Sequence, residues 1–401
     1  MSLVLTASEV MQVLDMDLAL AAATEAFRAH GEGRVNLPPK RAGADEGFYT
    51  INRSWPVRIA IADPWPLIPA DGGRMSLVLT GSEVIQVLDM DLALAAVEDA
   101  FRAYGEGRVN MPPKAYLSLA HGDFRAMYGE IFLPNDHICG LKWVNVHPGN
   151  PAKALLTVMA KILLNDPDTG LEFADLDGTH ITDYRTGAAG GLAARYLARP
   201  DATRLGVVGA GAQARTQVAA VLKVRPIQEI VVFNRHREHS EAFAAEMAAT
   251  FKVKVRATTE AAEAVRGQDI LVTTTPSRTP VVQRDWVSPG THINAIGADA
   301  AGKQELDPAI LTAAKVVVDD WAQASHSGEI NVSLARDELT RDQIYGSLGE
   351  IVAGRRPGRE NPEEITVFDS TGIIIQDLAL GLAVYQRARK QGLGEEKDFL
   401  K

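Results

Sequence analysis

The chain has 401 residues, 46% of them hydrophobic, and a formal net charge of −10 at pH 7, enough apolar sequence for two or three domains. The acidic balance, with no basic run, excludes a nucleic-acid surface as its main business, because a phosphate backbone needs positive patches. One cysteine, Cys139, excludes an internal disulfide and fits a reducing compartment.

No apolar stretch of about 18 residues lacks charge, so no membrane-spanning helix is expected. The start of the chain lacks a basic segment and carries Glu9, Asp15 and Asp17. That rejects a secretory signal, and a cytoplasmic protein is expected.

The first feature along the chain is a repeat. Met1 to Lys40 returns as Met75 to Lys114, with roughly 33 of 40 positions identical. Residues 41–74 follow the first copy with no sustained period and two Trp-Pro pairs, at 55–56 and 65–66. Two copies do not make a solenoid, which needs three or more. The second copy runs on into the rest of the protein, so Met75 is expected to open the working domain. Residues 1–74 then read as a partial duplication or an over-extended start, against an added regulatory or oligomerisation arm. Within the second copy, Asp89 is placed to cap a helix whose inner face carries Leu94, Val97, Phe101 and Tyr104, and Gly105 closes it.

Between residues 110 and 190, four cations stand in unusual settings. Lys114 follows a Pro-Pro pair, Arg125 sits in GDFRAMYGE, Lys142 in ICGLKWVNVHPGNP, and Arg185 in ITDYRTGAAGG ahead of a Gly/Ala-rich helix. Taken singly, each reads as a solvated charge or a snorkelling side chain. Strand alternation sets Lys142 on the face opposite Leu141 and Trp143.

The strongest motif is TRLGVVGAGAQA, residues 203–214. Leu205 to Val208 reads as a buried strand, and the segment with Val218, Val221 and Leu222 reads as a helix ended by Pro226. Between them Gly209 permits a tight turn, Gly211 allows a pyrophosphate close to the backbone, and Ala214 lets helix and strand pack closely. Strand before and helix after give the required context for dinucleotide binding. A second strand, Ile230 to Phe233, follows and ends at Asn234-Arg235-His236. No acidic residue is present there to select NAD through a ribose hydroxyl, and Arg235 suits a 2′-phosphate, so NADP is expected to be accepted.

Downstream, residues 239–250 read as a helix, and 269–273, 291–296 and 316–318 as buried parallel strands. Thr274, Thr275, Pro276 and Ser277 close the first of these strands. Asp299 follows the second after Gly297, where a doubly wound sheet presents reactive groups. A turn or cap aspartate is the plain alternative.

The ordered blocks MPPKAYL, DFRAMYG, GLKWVNVHPGNP, YRTGAAGG, VVGAGAQA, TTTPSRTPVV, HINAIGADAAGKQELD and FDSTGIIIQD resemble the ornithine cyclodeaminase/μ-crystallin family over nearly all of residues 75–400. Within it they look most like the archaeal-type alanine dehydrogenases. The resemblance implies an α/β fold: a Rossmann-like doubly wound parallel sheet at 195–367, plus an α+β substrate-binding and dimerisation domain at 75–194 completed by 368–401. It implies that Lys114, Arg125 and Arg185 hold a substrate carboxylate, that Lys142 is an acid/base, and that Asp299 is the catalytic carboxylate. It adds Thr157, Thr186, Ala210, Ala212 and Gln213 to Gly209, Gly211, Asn234, Arg235 and Thr274 to Ser277 as residues holding NAD or NADP. No metal is implied. A homodimer acting on a small amino or imino acid, oxidising L-alanine to pyruvate and ammonia or the reverse, is the expected function. Ornithine or lysine cyclodeamination, ketimine reduction and a non-enzymatic small-ligand-binding role are the rivals.

Overall fold

The computed structural model describes Ala26 and residues 75–399. The repeat's first copy and residues 41–74 therefore lie, apart from Ala26, outside the described residues.

Two eight-stranded sheets organise the rest. The first comprises β1 (Met75–Leu79), β2 (Val109–Asn110), β3 (Ala115–Leu119), β4 (Gly122–Phe132), β5 (His137–Val146), β6 (Val158–Asn165), β7 (Glu172–Asp177) and β16 (Glu395–Asp398). Its order is β16-β1-β7-β6-β5-β4-β2, with β3 also paired to β4. From β7 through β4 it is an antiparallel meander, and β1 lies parallel to β7. The second sheet comprises β8 (Arg204–Val208), β9 (Glu229–Phe233), β10 (Lys254–Thr258), β11 (Ile270–Thr273), β12 (His292–Ala295), β13 (Lys315–Val318), β14 (Ile344–Ser347) and β15 (Thr366–Asp369). Its order is β10-β9-β8-β11-β12-β15-β13-β14, and every pairing is parallel. This is the doubly wound arrangement expected from the glycine motif, with its order reversing between β8 and β11.

The long helices are α1 (Met90–Gly105), α2 (Thr179–Leu197), α3 (Ala212–Val224), α4 (Arg237–Phe251) and α5 (Ile374–Gln391). Asp89 caps α1 through its carboxylate, which accepts the Leu92 N–H at 2.8 Å. Leu94, Val97 and Phe101 on its inner face are buried. Burying an aromatic such as Phe101 contributes about 1.5–3 kcal/mol. The first core lies between the first sheet and helices α1, α2 and α5, with Phe101, Ile162, Leu176 and Leu378 at its centre.

Two further cores cover the faces of the second sheet. On β11, Ile270 and Val272 enter one and Leu271 the other. A strand buried on both faces explains why these segments read as unbroken apolar runs rather than alternating ones. Helix α2 stands between the sheets and packs along α3. Helix α5 starts directly after β15 and crosses back onto the buried face of the first sheet, against β4, β5 and β6. These two crossings bring both sheets to one site.

Candidate active site

The glycine turn sits at the switch point of the parallel sheet. Gly209 has φ +106°, and a Cβ there would lie 2.6 Å from the Thr274 hydroxyl, so a side chain is excluded on both counts. The loop after β11 thus packs directly on the turn after β8, and the Thr274 N–H donates to the Val208 carbonyl at 2.9 Å. Gly211 caps α3 in an extended conformation, and a Cβ added to it would meet nothing within 4 Å. Open space lies there beside the free N–H groups and positive end of α3, while Ala214 is fully buried. These residues fit a dinucleotide's pyrophosphate.

The Gly209 N–H donates to the Phe233 carbonyl at 2.9 Å, which sets the end of β9 beside the turn. Asn234 turns back on itself to accept the His236 N–H, and Arg235 is exposed. Gln213 at the start of α3 donates to Asp183 on α2 at 2.7 Å, and the Thr186 carbonyl accepts from Gln217 at 2.8 Å. Burial raises the Asp183 pKa to about 6. Thr157 lies just before β6, where its carbonyl accepts the His147 N–H.

The four sequence-flagged cations and Asp299 gather around the opening of α5 and the end of β12. Lys142 is fully buried on the inward face of β5, with Trp143 outward and 41% exposed. A solvated or snorkelling lysine is therefore ruled out at this position. Its Nζ donates to both oxygens of Asp377 at 2.8 Å, and Arg185 Nε donates to the same carboxylate at 3.1 Å. Arg185 Nη1 also donates to Gln376 at 3.0 Å. Gly372, at φ +74°, has no Cβ because one would collide with this guanidinium. Lys114 donates to the neighbouring Thr371 carbonyl at 2.5 Å. Arg125 faces inward on β4. It donates to Asp123 and to Asp299, each at 2.7 Å, and stacks over the Tyr116 ring. Asp299 takes Lys303 on its other oxygen.

The electrostatics bind these groups into one cluster. Burial pulls Lys142 down to about 7, helped by Arg185 and Lys114 and opposed by Asp377. Burial pulls Lys114 down to about 8; Asp319 and Asp299 oppose this, while Arg125 and Arg185 add to it. Asp299 stays ionised far below the usual carboxylate range: Arg125 and Lys303 outweigh the burial that would raise it. Asp319, whose carboxylate accepts the Thr371 and Gly372 N–H groups at 2.7 and 2.6 Å, is raised by burial to about 6. The basic side chains Lys114, Arg125, Lys142, Arg185 and Lys303 thus stand among Asp123, Asp299, Asp319 and Asp377, a setting suited to an anionic substrate group.

Sequence reasoning missed Asp377, Asp319 and Lys303. The available signal was a lone acid inside the apolar run IIIQDLALGLA, since a carboxylate there must find a buried partner. Among the described residues, no group of His, Cys, Asp and Glu is arranged to hold a metal ion. Nor is any described helix long and apolar enough to cross a membrane.

Fold and site together define a two-sheet α/β protein that sets a dinucleotide cradle beside a largely buried, cation-rich cluster. The chain belongs to the ornithine cyclodeaminase/mu-crystallin family, whose model matches residues 74–392. It is 46% identical over 326 residues to an alanine dehydrogenase of Archaeoglobus fulgidus, spanning 81% of this chain and 99% of that protein. Among solved structures, an archaeal alanine dehydrogenase dimer with bound NAD superposes with a TM-score of 0.77 at 47% identity, covering 80% of this chain and 99% of the other. A Thermococcus litoralis Δ1-pyrroline-2-carboxylate reductase, in complex with NADH and L-proline, also reaches 0.77, at 35% identity and the same coverage.

Proposed function

We propose that this chain catalyses NAD(P)-dependent oxidative deamination of L-alanine to pyruvate and ammonia, and the reverse reductive amination. The observation that carries the chemistry is Lys142: a fully buried lysine poised near neutrality, sharing one carboxylate with Arg185 beside Lys114. The choice of alanine rests on the identity to the Archaeoglobus fulgidus enzyme across almost its whole length.

In this reading Gly209 to Gln213, Thr274 to Ser277, Asn234, Arg235, Thr157 and Thr186 hold the dinucleotide. The nicotinamide supplies a hydride acceptor, or donor, at the substrate α-carbon. The protein's own groups do the rest. Lys114, Arg125 and Arg185 hold the carboxylate. Asp299 is ionised too firmly to carry a proton at neutral pH, so it accepts hydrogen bonds from the substrate nitrogen. Lys142, near 7, gives and takes the proton as water adds and ammonia leaves. The first sheet with its helices is taken as the substrate and dimerisation half and the parallel sheet as the nucleotide half; the boundaries expected at 194/195 and 367/368 fall inside α2 and β15, so each shifts to the end of its element. The outward face of the first sheet supports a homodimer. There Tyr128, Phe132, Trp143 and Met159 share one face of the adjacent strands β4, β5 and β6, each more than a third exposed, and apolar surface grouped in this way marks interfaces.

A second reading, reduction of a cyclic imine, is favoured by the neighbour that binds L-proline. A screen of L-alanine, L-ornithine, L-lysine and cyclic imines with NAD, NADH, NADP and NADPH separates them. Net NADH or NADPH formation with alanine is expected. Ammonia and proline from ornithine without net reduction would instead mark a cyclodeaminase, and turnover confined to cyclic imines a reductase. Asp299→Asn should abolish turnover while leaving dinucleotide affinity near normal; full activity would remove Asp299 from the chemistry.

A further inference from the structure

Glu305 is fully buried, belongs to neither the cradle nor the cation cluster, and meets four donors. One carboxylate oxygen accepts the Thr275 N–H at 2.6 Å and the Thr275 hydroxyl at 2.7 Å. The other accepts the Thr273 hydroxyl at 2.7 Å and the Gly297 N–H at 2.8 Å. Thr273 ends β11, and Thr275 belongs to the loop after it that packs on the glycine turn. Gly297 stands two residues before Asp299. A single carboxylate therefore spans the ends of β11 and β12. The two loops are already so close that any Cβ on Gly297 would strike the Thr275 carbonyl and Glu305 itself.

The clamp is held from behind. Glu329 accepts the Glu305 N–H at 2.9 Å and the Leu306 N–H at 2.7 Å. Asp369, at the end of β15, accepts the Glu329 and Ile330 N–H groups at 2.9 and 3.1 Å. Asp319, one residue past β13, holds the Thr371–Gly372 turn on which Lys114 rests. Buried acids are costly, and each of these accepts at least two backbone N–H groups, all from segments beyond the strand ends. Their common effect is to register the loops at the carboxyl ends of the parallel strands, where the ligands of such sheets bind.

We propose that Glu305 is a positioning residue that fixes the distance between the cofactor-side loop Thr274–Ser277, at the end of β11, and Asp299. The inference rests on the functional reading above, in which these two loops flank the dinucleotide and the substrate nitrogen. Glu305→Gln keeps the shape but turns one acceptor into an amide donor, which then faces a backbone N–H of one loop. Misplacing reacting groups by about 1 Å costs roughly 100-fold in rate.

The experiment compares wild type, Glu305→Gln, Thr273→Val and Thr273→Ser by thermal melting, by NADH titration through nicotinamide fluorescence, and by steady-state kinetics with L-alanine. The Thr273 hydroxyl is buried and donates to Glu305, so its removal probes the clamp without touching the ligand-facing side chains. Glu305→Gln should weaken NADH binding about tenfold and lower kcat by about 10- to 100-fold, with the KM for alanine changed less than about threefold. Thr273→Val should move NADH affinity and kcat the same way by a smaller factor, and Thr273→Ser should restore both. A folded Glu305→Gln variant with wild-type NADH affinity and kcat overturns the proposal while leaving the functional reading intact. If Glu305→Gln does not fold, Thr273→Val decides: wild-type behaviour overturns, and loss with serine rescue supports. A wild-type protein that fails to bind NADH overturns the functional reading first, and the proposal with it.

Discussion

Asp377 is the counter-ion of the buried cation pair, so Asp377→Asn is the sharpest perturbation of the site. In the native arrangement its carboxylate lies 2.8 Å from Lys142 Nζ and 3.1 Å from Arg185 Nε. At an effective dielectric near 20, each contact corresponds to an attraction of about 5–6 kcal/mol before desolvation is counted. Removing one partner of such a buried cluster costs about 3–5 kcal/mol net, because the remaining charges stay buried. A lower melting temperature is therefore expected.

The charge change also has a titration signature. Lys142 is already depressed to about 7. Losing the anion disfavours its ammonium form further, by about 1–3 pH units. In oxidative deamination the neutral amine is the working base, so wild-type activity should rise with pH through about 7. In Asp377→Asn this limb should move toward acid. Native Lys142 sits below its unfolded value, so the unfolded chain binds more protons between about 7 and the ordinary lysine pKa. Its contribution to stability is therefore least favourable at low pH and improves as pH rises through that window. The assay is kcat/KM for alanine against pH, with melting curves on the same samples. An unchanged limb and an unchanged melting temperature would refute the role assigned to the pair.

Three further outcomes follow from the same geometry. NADP should be used alongside NAD, and Arg235→Ala should lower kcat/KM for NADP about tenfold while leaving NAD little changed; a strong wild-type preference for NAD would remove Arg235 from cofactor selection. Trp143→Asp places a charge in the exposed apolar face of the first sheet, and sedimentation should show dimers giving way to monomers, whereas an unaltered assembly would move the interface elsewhere. Deleting residues 1–74 should leave activity and assembly as they are, and a loss of either would make that segment a working arm.

Most of the nucleotide sheet is legible in the sequence because its central strands are buried on both faces and read as short apolar runs; β15 is the exception, since its four residues TVFD include a threonine and an aspartate. Residues 205–208, 230–233 and 316–318 fall within the strands formed, and 269–273 and 291–296 overrun theirs by one or two residues. Strand β10 was not legible: its sequence, KVRAT, is only half-covered at the sheet edge and carries two charges. The candidate site was half legible. Its cations stand out because they interrupt apolar or glycine-rich sequence. Their pairing with counter-ions does not, since Lys142 and Asp377 are 235 residues apart and no spacing links them. Only the crossing of α5 onto the first sheet joins them. The same limit applies to Arg125, whose pairing with Asp299 depends on how the two sheets meet.

The most direct measurement of the central claim is deuterium transfer. With L-alanine deuterated at the α-carbon and NAD or NADP, the reduced dinucleotide should carry one deuterium at nicotinamide C4, with pyruvate and ammonia formed in equal amounts. Reduced dinucleotide without the label, or no reduction at all with alanine, would contradict the assignment of this site to oxidation of the amino-acid α-carbon.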